Sequence, residues 1–149
     1  MKSTWLYRTA TVLFILFALG HTFGLLHFRP ATPEGVAVHD AMNNVHFQIK
    51  SGDFTYGKFY TGFGLFVTAY LLFSAFLAWH LGGVAARHPQ AVGSLGWGFF
   101  ALQVACLVLS WIYFFAGPVA FSGLTTACLG WAAWQVQGSQ ASNPTLVRS

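Results

Sequence analysis

The residues best able to do chemistry in this sequence are His21, His39, Asp40, Asn43, His46 and Tyr60. Imidazole, carboxylate and phenol groups near one another are the materials of proton transfer, and imidazoles also hold metals and haem iron. Spacing restricts both options. On a straight helix His39 and His46 lie two turns apart, ~10 Å along the axis, too far to share one metal. His21 and His27 point in substantially different directions, and no HExxH, CxxC or EF-hand spacing is present. One haem or metal between His21 and His39 or His46 is geometrically open. One haem per leaflet is not expected, because the other side offers only His80 and His88, in or beside a single loop. Each residue also has a plainer role, and that role takes precedence: His21 as a hydrogen-bonded packing residue, His39 and His46 as part of a solvated helix face. No resident cofactor or metal is expected.

The elements that must position these side chains belong to a membrane. Of 149 residues, 56% are hydrophobic and only 7% charged, against roughly 25% charged in an ordinary soluble domain. The cations stand singly along the chain, so a nucleic-acid surface is not expected. Thr9 to Phe28 carries no charge and is apolar on every face, as a helix surrounded by lipid or other helices requires. A signal peptide is the rival, with Lys2 and Arg8 before an apolar run and Ala18-Leu19-Gly20 as a cleavage-like step. Trp5 to Phe28 would extend ~36 Å, longer than such a segment needs, so a retained span is expected. The second span is placed at about 59–81, ended by Gly82-Gly83. No Asp, Glu, Lys or Arg occurs between His88 and Val147, which leaves room for spans at about 94–116 and 118–136, separated at Gly117-Pro118. The fold class is thus all-α: four transmembrane helices in an up-down bundle within one domain over 1–137, followed by a disordered tail over 138–149. Cys106 and Cys128 read as thiols in apolar runs rather than as a disulfide.

Between the first two spans, about 34–50 reads as an amphipathic helix lying in the interface or capping the bundle. Val38, Ala41, Met42, Val45 and Ile49 mark one face; His39, Asn43, His46 and Lys50 mark another. Topology then puts His21, His27, His39, Asp40, His46, Asp53, Tyr56 and Tyr60 at similar depth. His21 lies about two turns inside its span, within the small-xxx-small spacing Gly20 to Gly24. An unpaired polar group there would cost ~2–7 kcal/mol, so His21 is expected to be buried against the connecting helix or the start of span two, with Asn43, Asn44, His46 or Tyr60 as partner.

Four spans put both termini on one side. With that side cytoplasmic it holds Lys2, Arg8, Arg87 and Arg148, against Arg29, Lys50 and Lys58 opposite with all three acids, in the sense of the positive-inside rule. Trp5, Trp79, Trp97, Trp131 and Trp134 fall near the cytoplasmic span ends, and Trp111, Tyr113, Tyr56 and Tyr60 near the others.

His21-Thr22-Phe23-Gly24, Met42-Asn43-Asn44-Val45-His46-Phe47 and Phe59-Tyr60-Thr61-Gly62-Phe63-Gly64-Leu65 together resemble the pattern of an uncharacterised family of small four-span bacterial inner-membrane proteins. The resemblance covers roughly the first 80 residues. It implies a bacterial inner-membrane location and four spans, and it assigns no activity and no residue roles.

The principal functional reading is a non-enzymatic integral membrane protein, free-standing or an accessory subunit of a larger membrane complex. Its partners are the lipid bilayer and other membrane subunits or copies of itself. Sixteen phenylalanines exceed what a small bundle interior holds, so many rings must face lipid, pigment, quinone or partner helices. The alternative is a membrane-embedded enzyme or a metal- or haem-binding protein using the histidine-rich, non-cytoplasmic side. Spans three and four offer only neutral polar groups, Gln103, Ser110, Thr125 and Thr126, which disfavours an ion-coupled transporter.

Overall fold

A computed structural model describes residues 2–50 and 52–141. The described residues form five α-helices and one β-hairpin: α1 (Lys2–His27), α2 (Pro33–Asn44), β1 (His46–Ile49), β2 (Gly52–Thr55), α3 (Tyr56–Arg87), a 3-10 turn (Pro89–Ala91), α4 (Gly93–Tyr113) and α5 (Ala116–Ala141). Three helices are long and apolar enough to cross a membrane: Ser3–His27 of α1, Tyr56–Arg87 and Gly93–Tyr113. Although α5 is 26 residues long, it falls outside that set, because Ser122, Thr125, Thr126 and five glycines or prolines thin its apolar run.

The chain divides into two compact units. One comprises α1 through Phe17 together with the chain from Leu72 onward; the other is Ala18–Leu71. Most of the expected tail, 142–149, lies outside the described residues, whereas 138–141 continues α5.

In the first unit, segments of four helices share a core. Tyr7, Ala10 and Phe14 of α1 are buried, as are Ala75, Ala78 and Leu81 of α3, Phe99 and Gln103 of α4, and Leu129, Ala132 and Val136 of α5. Phe14 stacks on Phe99 at 5.8 Å between ring centres, and Phe17 stacks on Phe121 at 5.2 Å. The pairings Gln103 with Thr125 and Ser110 with Ser122 run in opposite senses along the chain, so α4 and α5 are antiparallel. Gln103 Nε2 donates to Thr125 Oγ1 at 2.9 Å, and Thr126 Oγ1 donates to the Gln103 carbonyl at 3.2 Å. These bonds satisfy groups that lipid could not.

Among the described residues two buried hydroxyls of α1, those of Thr4 and Tyr7, have no partner. The Tyr7 ring is fully buried, and its hydroxyl lies 2.9 Å from where a methyl on Gly96 would sit. A buried unpaired donor costs about 1–3 kcal/mol, so Tyr7→Phe is expected to raise the melting temperature in detergent. A lowered one would mean that the hydroxyl is held by a water or ligand.

The second unit holds the hairpin, and here the expected amphipathic helix over 34–50 is corrected. Thr32 caps α2 by accepting from Gly35 N at 3.1 Å, and Pro33 opens it. The helix stops at Asn44, where Val45 turns extended. From His46 the sequence alternates polar and apolar, the period of a strand. β1 and β2 pair antiparallel with His46 opposite Thr55 and Ile49 opposite Gly52. Lys50, at φ 56°, enters the left-handed region that a two-residue hairpin connection demands. The face assigned to a helix was therefore a coincidence of spacing: His46 and Lys50 do not continue the face of His39 and Asn43.

Candidate functional site

All six candidate residues fall in the second unit, where the fold sorts five of them into three groups and leaves Tyr60 apart on α3. His21 is half-buried on α1, and its Nε2 donates to the Gly64 carbonyl on α3 at 3.0 Å. A carbonyl oxygen can only accept, so this bond puts a proton on Nε2. Its partner is backbone, not the side chains of Asn43, Asn44, His46 or Tyr60. Beside it, Thr22 Oγ1 donates to the Ala18 carbonyl at 2.8 Å and lies 2.8 Å from Thr68 Oγ1. With the Thr22 proton so used, Thr68 donates to Thr22; its alternative acceptor, the Gly64 carbonyl, is longer at 3.4 Å. Gly64 allows this approach, since a methyl there would collide with the Leu25 side chain of α1. The result is a polar clasp between two apolar helices.

The second group lies on α2. Asn43 Nδ2 donates to the His39 carbonyl at 2.9 Å, and its side-chain oxygen covers Gly57, where any methyl would strike it. His39 Nδ1 is 3.7 Å from Asp40 Oδ1, and both side chains are exposed. Asn43 thus packs the end of α2 against the start of α3.

The third group is on the hairpin. His46 and Gln48 share a face with Asp53 and Thr55, while Phe47 and Phe54 face the other way. His46 Nδ1 bonds Asp53 Oδ2 at 2.8 Å, a diagonal pair open to solvent. Phe47 also packs on Tyr56 at 4.8 Å, and Phe59 packs on Phe63 at 4.9 Å, so an aromatic cluster backs the polar face. Thr55, buried, accepts from Lys58 N at 3.2 Å and caps α3. Tyr60 is exposed on α3, and His27 Nδ1 donates to the Phe23 carbonyl at 3.0 Å.

Among the described residues no three His, Cys, Asp or Glu side chains gather closely enough to hold a metal ion. No protein family, curated protein or solved structure matches this chain. Sequence reasoning missed the Thr22–Thr68 bond and the His46–Asp53 pair. The second was legible in principle, from the alternation His46-Phe47-Gln48-Ile49 followed by Gly52.

The clasp yields a direct check. Thr22→Cys with Thr68→Cys, in a chain with Cys106 and Cys128 changed to alanine, should form a disulfide on mild oxidation, because the hydroxyls already approach closely. Free thiols after oxidation would show that the two helices are not so paired.

Proposed function

We propose that this chain is a four-span integral membrane protein of a bacterial inner membrane, with both termini cytoplasmic, that works without catalysis as an accessory subunit of a membrane assembly. The observation that carries this reading is how the polar groups of the long helices are used. His21, Thr22 and Thr68 close on one another or on backbone, and so do Gln103, Ser110, Ser122, Thr125 and Thr126. Polar groups spent on helix–helix bonds hold helices together rather than wait for a substrate. The same bonds support α5 as the fourth span, since its Ser122, Thr125 and Thr126 are satisfied within the protein. Large exposed aromatics, among them Phe66, Trp111 and Phe115, suit a surface wholly covered by lipid and neighbouring helices.

Purification of the full chain from native membranes in mild detergent tests the proposal. Co-migration with other membrane proteins at fixed stoichiometry is expected. Isolation as a lone monomer under every mild condition would sink the subunit reading.

One observation favours the cofactor-binding or enzymatic reading. The Asp53 carboxylate orients the His46 imidazole through Nδ1 at 2.8 Å, as a carboxylate does behind a metal-binding or general-base histidine. Metal analysis and a visible absorption spectrum of the purified protein decide it: bound metal or a haem band that disappears in His46→Ala would displace the non-catalytic reading.

A further inference from the structure

The charge of this protein is unevenly divided. All three acids, Glu34, Asp40 and Asp53, lie in the unit Ala18–Leu71, where Arg29, Lys50 and Lys58 balance them. The formal net charge of +4 therefore belongs entirely to the other unit, whose cations are Lys2, Arg8, Arg87 and Arg148. No carboxylate side chain of that unit can neutralise them.

Two of these cations are drawn to one stretch of α3. The Arg8 guanidinium lies 3.1 Å from the centre of the Trp79 ring. Its Nε would stand 3.5 Å from a methyl on Gly82, and Arg87 Nη2 would stand 3.9 Å from a methyl on Gly83. Two guanidiniums thus approach adjacent glycines: Gly82 is buried against Tyr7 and the Thr4 carbonyl of α1, which brings Arg8 close to α3, while only Arg87 lies within 4 Å of a methyl on Gly83. His80, exposed and stacked on Phe76 at 6.2 Å, lies two turns before Arg87 on the same side of the helix.

A guanidinium stacked face-on against indole keeps its N–H groups directed outward in the ring plane, free to bond a phosphate with two parallel hydrogen bonds. The stacking also favours the cation at a half-buried position. Trp79 is itself exposed, on a helix apolar enough to cross a membrane, and tryptophan there sits at headgroup depth.

We infer that Arg8 and Arg87, gathered over Gly82-Gly83 of α3, bind the phosphate of an anionic phospholipid headgroup. The inference rests on the membrane reading for the source of its ligand, and on the unbalanced charge and the two guanidiniums for its chemistry. A basic side chain near an anionic membrane contributes about 1 kcal/mol, which is about fivefold in affinity.

The test is thermal unfolding of the full chain in neutral detergent, titrated with phosphatidylglycerol, phosphatidylcholine or inorganic phosphate. Phosphatidylglycerol should raise the melting temperature saturably, whereas phosphatidylcholine and equimolar phosphate should not. Arg87→Gln should raise the half-saturating phosphatidylglycerol concentration about fivefold, and Arg8→Gln with Arg87→Gln should abolish the shift. Lys58→Gln, in the other unit, should leave it intact. Should the double variant fail to fold, Arg87→Gln with Gly83→Leu, which fills the space beside the site, serves in its place. A shift that survives these substitutions, or an equal shift with phosphatidylcholine, overturns the site; an equal shift with inorganic phosphate overturns the lipid assignment. A protein that needs detergent yet ignores phosphatidylglycerol refutes this inference alone, while one soluble without detergent refutes the membrane reading.

Discussion

Phe14→Ala is expected to lower the unfolding free energy of the solubilised protein by on the order of 3 kcal/mol. Phe14 is fully buried and stacks on Phe99, so truncation leaves a cavity that backbone held by two helices cannot close. The value stands at the low end for a buried phenylalanine because lipid and detergent are as apolar as the core, and what is lost is packing rather than transfer from water. Phe14→Leu should cost clearly less. Reversible denaturant unfolding in mixed micelles measures both, and a Phe14→Ala loss below about 1 kcal/mol would mean that this core is not closed around the ring.

The second large effect belongs to the clasp. Gly64→Leu should destabilise by about 3 kcal/mol, the upper part of the overpacking range, since even a methyl at Gly64 collides with Leu25. Forcing α1 and α3 apart would also pull His21 from the Gly64 carbonyl, which leaves an imidazole donor without a partner. Gly62 supplies the control on the same helix, because nothing lies within 4 Å of a methyl placed there. Gly62→Leu should cost nothing and, by removing a glycine from a helix interior, should raise stability by up to about 1 kcal/mol. Equal losses at the two positions would show that general glycine replacement, not the helix contact, is responsible.

The long helices were legible because their signal is a sum over many residues: α1, α3 and α4 each sustain an uncharged apolar run that no local misreading alters. Their ends were less so. Gly82-Gly83 looked like a stop, yet α3 continues to Arg87, since two glycines weaken a helix without breaking it when packing holds them. The His21 contact was half legible. The cost of an unpaired imidazole required a partner, but the partner is the Gly64 carbonyl, a backbone group that no residue type announces. The segment after Asn44 misled because five residues can satisfy a helical spacing by chance, while the strand alternation there is only four residues long. Asn43 belonged to the candidate set for its chemistry and serves as a spacer over Gly57.

The length of α3 has a further consequence. Its 32 residues measure about 48 Å, against ~30 Å of hydrocarbon and ~40–45 Å for the whole bilayer. Even at a 40° tilt, the limit of the usual range, it would project about 37 Å along the membrane normal. A helix that crosses with this much excess does not register the exact position of the water boundary. Thinning or thickening of the membrane by a few ångströms slides the boundary along α3, while Lys58 and Arg87 near its two ends stay in contact with headgroups or water, so neither charge is drawn into hydrocarbon. As a span, α3 is thereby tolerant of membranes of different thickness in a way that α4, whose 21 residues measure about 32 Å, is not.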